Sequence, residues 1–353
     1  MNKSSLALIE RLTLVAGPSG FEKPVGDIIR EHLASIGSFT TDPIGNIVCE
    51  IPGTNAQSPR ILLAAHQDEI AFMVSDILDN GFLHFIAIGG WNPLTLPSSP
   101  VEVIANNGKK IPGIIGQLSP HFLKKGATPQ VPQLEELCID IGASSAEEVR
   151  ALFNIQLGAL VLPVTNFSYI PQTNCIISKA FDDRIGVATL IELGQLLVKN
   201  PIEATVILAF TVQEEVGTRG AKVLANYIGA EAAIVVEGAP ADDIPGGPQH
   251  PQTCIGKGAH VRIFDPTHIG HPKLLDCARE AAKKGAIPIQ ETVRKGGGTD
   301  AMILALAGRG IPSIVTGVPV RYAHSHNCLI SLSDYHNLIL LLHAICRDMG
   351  KFD

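Results

Sequence analysis

The sequence lacks what a nucleic acid or a membrane would require. Its 353 residues carry 27 Lys and Arg against 34 Asp and Glu, a net charge of −7, so no basic stripe is available for a phosphate backbone. No run reaches the roughly 18 apolar residues of a membrane span. The best candidate, LILLLHAIC, is short and contains His343. The opening stretch MNKSSLALIERLTLVAG is interrupted by Glu10 and Arg11, so it reads as an amphipathic helix rather than a secretory signal. Seven cysteines show no CxxC spacing, which points to reduced, buried thiols in a cytoplasmic protein. There is no Walker lysine motif and no GxGxxG after a strand, which argues against nucleotide binding. What is present is a chain 46% hydrophobic and 17% charged, enough for a substantial core in one large or two moderate domains that handle small ligands or peptides.

Three stretches differ in texture. In the first, SGFEKPVGDIIREHL carries Ser19 and Glu22 at capping-box spacing, with apolar residues returning at Val25, Ile28, Ile29 and Leu33. NIVCEI and RILLAAH follow as strands, and the nearly continuous apolar character of the second implies burial on both faces. Residues 69–172 are broken by Gly, Pro and Asn into short strand-like pieces, with SSAEEVRALFN the one clear helix, capped by Ser144 or Ser145. This predicts a small, mostly β domain inserted into the first. From residue 173 onward strands and helices alternate, as in ATVILAFTV, GAKVLANYIG, AAIVVEG and HPKLLDCAREAAKKG. Residues 1–68 and 173–353 therefore read as one α/β domain, a sheet between helices.

The polar residues fall where those strands end. RILLAA runs into His66, Asp68 and Glu69; ATVILAFTV into Glu214 and Glu215; AAIVV into Glu237; IPSIVTGVPVRYA into His324, with His326 beyond it. In open α/β sheets the carboxyl edge is where ligands bind. Asp182 and Asp183 join them at the start of a helix, where one N-cap needs one carboxylate and two are present. Clustered carboxylates repel, and burying them unpaired is costly. Divalent cations resolve the conflict. Imidazole and carboxylate suit Zn²⁺, Co²⁺ or Mn²⁺, and this many ligands favours two ions about 3.5–4 Å apart, bridged by a carboxylate. Adjacent side chains on an extended segment point apart, so one of Glu214 and Glu215 can bind metal while the other moves a proton.

AAHQDEIAFMV, AFDDRIG, TVQEEVGTRGA, GGGTDA and VPVRYAHS, in that order over nearly the whole chain, resemble the tetrahedral, deblocking and glutamyl aminopeptidases of metallopeptidase family 42. The resemblance implies a co-catalytic zinc-peptidase-like α/β domain with a mixed sheet, split by a small β-rich dimerisation domain. It also implies homo-oligomers, dimers that build dodecameric shells, and peptide substrates shortened from the N-terminus by way of a water shared between two metals, Zn²⁺ or Co²⁺. On the matching positions, His66 binds the first metal with Asp68 orienting its ring, Asp182 bridges, Glu237 completes the first site, Glu215 and His324 bind the second metal, and Glu214 is the general base. Gly298, Thr299 and Asp300 belong to a substrate-side loop.

Two positions depart from the family pattern, Glu237 where Asp is usual and Cys328 where Glu is typical. His326 is a third possible imidazole ligand in the same place, against which stands the reading of an exposed loop histidine. Lys257, Arg262 and Arg294 are the cations available to read an acidic side chain, without a placement among them. Two rival readings are a deacylase or carboxypeptidase-like hydrolase on the same metals, which Glu237 favours, and a non-catalytic peptide-binding scaffold, which the retained Glu214 disfavours.

Overall fold

The computed structural model describes residues 3–122 and 131–349; residues 123–130 of the expected insert lie outside them. Along the chain, α1 (Lys3–Leu14) and α2 (Lys23–Leu33) precede β1 (Ser38–Thr41), β2 (Ile47–Ile51) and β3 (Arg60–His66). Next come β4 (Ala71–Ile77), β5 (Leu83–Ile88), β6 (Pro100–Ile104), β7 (Lys110–Gly116), β8 (Cys138–Asp140), α3 (Ala146–Ala151) and β9 (Leu160–Pro163). Then follow β10 (Ser168–Ile170), β11 (Cys175–Ser178), α4 (Phe181–Lys199), β12 (Thr205–Thr211), α5 (Arg219–Leu224) and β13 (Ala232–Pro240). The chain ends through β14 (Ala259–Asp265), β15 (His268–Ile269), α6 (Pro272–Gly285), β16 (Ile289–Val293), α7 (Ala301–Leu304), β17 (Ser313–Arg321), β18 (Cys328–Ser331) and α8 (Leu332–Met349).

Two compact units emerge. The larger holds residues up to Glu69, Phe167–Ala323 and Asn327 onward; the smaller holds Ile70–Asn166 with His324–His326. The larger unit is built on a mixed sheet of twelve strands whose main path runs β1-β2-β12-β3-β13-β17-β18-β11-β10, with β14 to β16 branching from β17. Its centre, β12-β3-β13-β17, is parallel. Residues 167–172, placed in the insert from sequence, supply β10, which pairs with β11 at the edge of this sheet.

Burial of the central strands on both faces explains their unbroken apolar text. On β3, Ile61, Leu63 and Ala65 pack into the core shared with α1, α2 and α4, while Leu62 and Ala64 pack into the one shared with α5 and α7. The expected α/β class, with a mixed sheet between helices, is what the chain adopts. The sequence signal at the start of α2 misleads in one respect. Glu22 occupies the N-cap position without a side-chain cap bond, and Ser19 donates to Asp68 instead of closing a capping box. Ser145 does cap α3, accepting from the Glu148 amide at 3.2 Å.

The smaller unit is a closed antiparallel barrel of order β4-β5-β8-β7-β6-β9. Phe72 fills its interior, edge-on to Phe85 at 5.0 Å and stacked on Trp91 at 4.5 Å. Among the described residues, no helix is long and apolar enough to cross a membrane.

Trp91 is the only tryptophan in the chain, so its fluorescence reports on the barrel. Phe72→Ala removes a fully buried ring and should lower the stability of the transition followed by that fluorescence by about 3–5 kcal/mol. An unchanged midpoint in denaturant would show that the barrel interior is not packed around Phe72.

Candidate metal centre

Register sets the level of the rim. His66 ends β3 directly opposite Thr211 on β12, and Ala64 pairs with Val235, which brings Glu237, two residues on, up to the level of His66. Side chains alternate along a strand, so His66 and Glu237 lie on the face that carries Leu62, Ala64 and Val235. Asp182 arrives from the first turn of α4. Its approach depends on Gly238, where a Cβ would stand 2.6 Å from the Phe181 carbonyl and 2.8 Å from the Asp182 Cα. The two aspartates of the DDR stretch divide their tasks. Asp183 is fully buried and accepts from the amides of Gly186 at 3.0 Å and His66 at 3.2 Å, whereas the Asp182 Oδ1 lies 3.1 Å from His66 Nε2.

Two trios of ligand atoms result. His66, Asp182 and Glu237 form one and Asp182, Glu215 and His324 the other, each with its three atoms within 4.8 Å of one another. His324 stands in the turn between β17 and β18 with φ +59°. The donor chemistry of each trio, one imidazole and two carboxylates with Asp182 common to both, fits a pair of divalent transition-metal ions.

The segment that carries Glu214 and Glu215 is held from behind. Its four successive amides each donate to a side-chain oxygen: Val212 to Asn46 at 3.0 Å, Gln213 to Glu22 at 3.0 Å, and Glu214 and Glu215 to the two oxygens of Asp68 at 2.9 and 3.1 Å. Asp68 also accepts from the Ser19 hydroxyl at 2.6 Å, and its Oδ1 lies 3.4 Å from His66 Nδ1. Asp68 therefore orients the histidine ring through its backbone carbonyl, 3.2 Å from Nδ1, together with its carboxylate, and the same fully buried carboxylate fixes the backbone of both glutamates.

The electrostatics show a rim short of positive charge. Removal from water, against the pull of His66, pushes the Glu214 carboxyl well above its usual range, with Glu237, Asp300 and Glu215 adding to the rise. Burial does the same to Glu237, reinforced by Asp183 and Asp182. Burial opposes protonation of His66, but its hydrogen bonds with Asp182 and Asp68 prevail and raise it well above the ordinary value. For Asp68, burial works upward and the bonded His66 outweighs it, so this carboxyl is lowered. A dication among these groups would relieve the repulsion between their carboxylates.

Beneath the rim lies a buried ionic tie that the sequence reading missed. Arg184 donates to the carbonyls of Gln67 at 2.6 Å, Leu12 at 2.7 Å and Gly17 at 3.0 Å, and pairs with Glu69 at 3.3 Å. Lys179 pairs with the other oxygen of Glu69. The charged residue in DDR was visible in the sequence; its burial was not.

In the GGGTDA stretch, Gly298 is exposed while Thr299 and Asp300 are buried. Thr299 accepts from the Ala301 amide, and Asp300 accepts from the Thr211 hydroxyl at 2.6 Å, with burial pushing its carboxyl up to about 6. His326 is not the exposed loop residue expected. It is 4% exposed, tilted against Trp91 at 5.3 Å, and burial depresses it to about 4. Cys328 donates its thiol to the Tyr322 carbonyl. Of the three candidate cations, Arg262 is paired with Asp265 at 3.0 Å and Arg294 donates to the Pro240 carbonyl and the Thr253 hydroxyl.

This sheet, with two linked donor trios at its carboxyl rim, has the makings of a peptide hydrolase. The family model described as M42 glutamyl aminopeptidase matches residues 45–341, and the chain belongs to that family. It is a peptide hydrolase with the aminopeptidase function of that family. A glutamyl aminopeptidase of Lactococcus lactis is 35% identical over 344 residues, covering 97% of this chain and 96% of its own. A TET aminopeptidase from the marine sediment archaeon Thaumarchaeota archaeon SCGC AB-539-E09 superposes with a TM-score of 0.93 at 34% identity, covering 99% of this chain and 97% of the other. The TET1 peptidase of Pyrococcus horikoshii, which can assemble into a tetrahedron or a large octahedral shell, matches at 0.84 and 31% identity over 97% and 99% of the two chains.

Arg184→Met should destabilise the larger unit by about 3–5 kcal/mol in denaturant unfolding, because Glu69 would keep Lys179 alone and several carbonyls would lose their donor. A loss below about 1 kcal/mol would mean that the buried tie contributes little.

Proposed function

We propose that this chain is a two-metal aminopeptidase, with His66, Asp182 and Glu237 as ligands of one cation and Asp182, Glu215 and His324 as ligands of the other. The observation that supports the reading best is the pair of donor trios sharing Asp182. When bound, two divalent ions such as Zn²⁺ or Co²⁺ would polarise the scissile carbonyl and make a water acidic enough to lose its proton near neutrality. The protein's part is then proton transfer and orientation. Glu214 accepts the proton of the attacking water and returns it to the departing amine. Asp68 keeps the ring of His66 in one orientation, so that Nε2 faces Asp182 and Glu237. Gly298, Thr299 and Asp300 form the substrate-side loop at the start of α7.

We assign a homo-oligomeric state on the strength of the assembling TET1 relative, and a dimerisation role to the barrel, as the family resemblance implies. A reducing, cytoplasmic setting accords with seven unbridged cysteines.

Glu214→Gln should keep the parental metal content, read by elemental analysis, while turnover of aminoacyl-p-nitroanilides falls by about 10²–10⁴-fold. His324→Ala should lose one of the two ions; retention of both would remove it from the ligand set. N-acyl amino acids turned over in preference to aminoacyl anilides would replace the aminopeptidase reading with the deacylase that Glu237 favours. Activity that survives exhaustive chelation would end both.

A further inference from the structure

We infer that Glu22 is a positioning residue for the reaction, a strut that sets where Glu214 stands; this rests on the reading of Glu214 as the base. The chain must turn sharply as it leaves β12, because Thr211 is still in the sheet and Glu214 and Glu215 have to diverge three and four residues later. Gln213 takes up that turn with φ +54°, a left-handed conformation that costs a non-glycine residue energy and persists only where its surroundings hold it. Its neighbours are held by other side chains: Val212 by Asn46, Glu214 and Glu215 by Asp68. The amide of Gln213 itself is held by Glu22 Oε1, at 3.0 Å.

The strut is rigid at its other end. The same Oε1 accepts from the Gly20 amide at 2.7 Å, and the Glu22 side chain is buried, 5% exposed. The segment it rises from is pinned to the end of β3: Pro18 forms an isolated bridge with Glu69, the Gly17 carbonyl accepts from the Glu69 amide, and the Gly17 amide donates to the Glu69 carboxylate. Ser19 of that segment reaches Asp68. A single loop, residues 17–22, thus fixes the backbone of the glutamate pair from two sides, through Asp68 and through Glu22. What Glu22 supplies is an acceptor oxygen at a set reach, shared by the amides of Gly20 and Gln213.

Three substitutions separate reach from charge. Glu22→Gln keeps the length and the acceptor oxygen, Glu22→Asp keeps the charge and withdraws the oxygen, and Glu22→Ala removes both. Steady-state kinetics on the best substrate of an aminoacyl-p-nitroanilide panel, metal content, and amide hydrogen exchange at residues 213–215 are the readouts. The alanine and aspartate variants should lose about 10–100-fold in kcat, with KM and metal content close to parental and exchange accelerated at 213–215. The glutamine variant should stay within about threefold on every measure. Parental kcat and exchange in the alanine and aspartate variants would overturn the inference. So would a glutamine variant as impaired as alanine, or activity lost in step with metal. Should Glu214→Gln remain active, the assignment of the base fails; exchange at 213–215 still decides whether Glu22 holds the turn.

Discussion

The carboxylate of Asp68 is the interaction on which the rest of the rim depends. It has no exposure to solvent, yet it is kept ionised, because His66, the Ser19 hydroxyl and two backbone amides all converge on it. Hydrogen bonds to a charged acceptor are stronger than neutral ones, and here their strength serves geometry. Three separate stretches of chain are drawn to one atom pair: the end of β3, the loop before α2 and the segment after β12. Without that anchor the glutamates after β12 would be free to swing away from one another and from His66. Asp182 and Glu237 crowd around His66, while the backbone that carries Glu214 and Glu215 is fixed from behind.

Much of this was legible in the primary structure, for identifiable reasons. The central strands announce themselves through unbroken apolar runs, since burial on both faces leaves no room for alternation. Most of the polar residues that follow those runs gather at one rim because parallel strands end on the same side, which made His66, Glu214, Glu215, Glu237 and His324 legible as a group; Glu69 and His326 turn elsewhere, and it was the family resemblance that singled out Asp182 from Asp183. Their roles as ligands and base remain the reading proposed above; their proximity is a property of the fold.

What escaped the sequence was tertiary. Ser19 and Glu22 have the spacing of a local capping box, and that pattern cannot tell a bond to a neighbouring amide from one to Asp68 or Gln213. Likewise a histidine in a short loop gives no sign that Trp91 will cover it, as happens to His326. Arg184 looks like a surface cation at the head of a helix until the carbonyls of residues 12, 15 and 17 are seen around it. In each case a side chain reaches an acceptor far away in sequence, and local periodicity carries no information about such partners.

Asp182 has a consequence of its own, because it serves both trios. On the proposed assignment two ions would share that carboxylate, so binding of the first would alter the free energy with which the second is taken up. Thermodynamic reciprocity then requires the second to change the retention of the first by the same factor. On the proposed assignment, loading and stripping of the centre are therefore linked events, and a protein holding one ion is a different binding partner from one holding none.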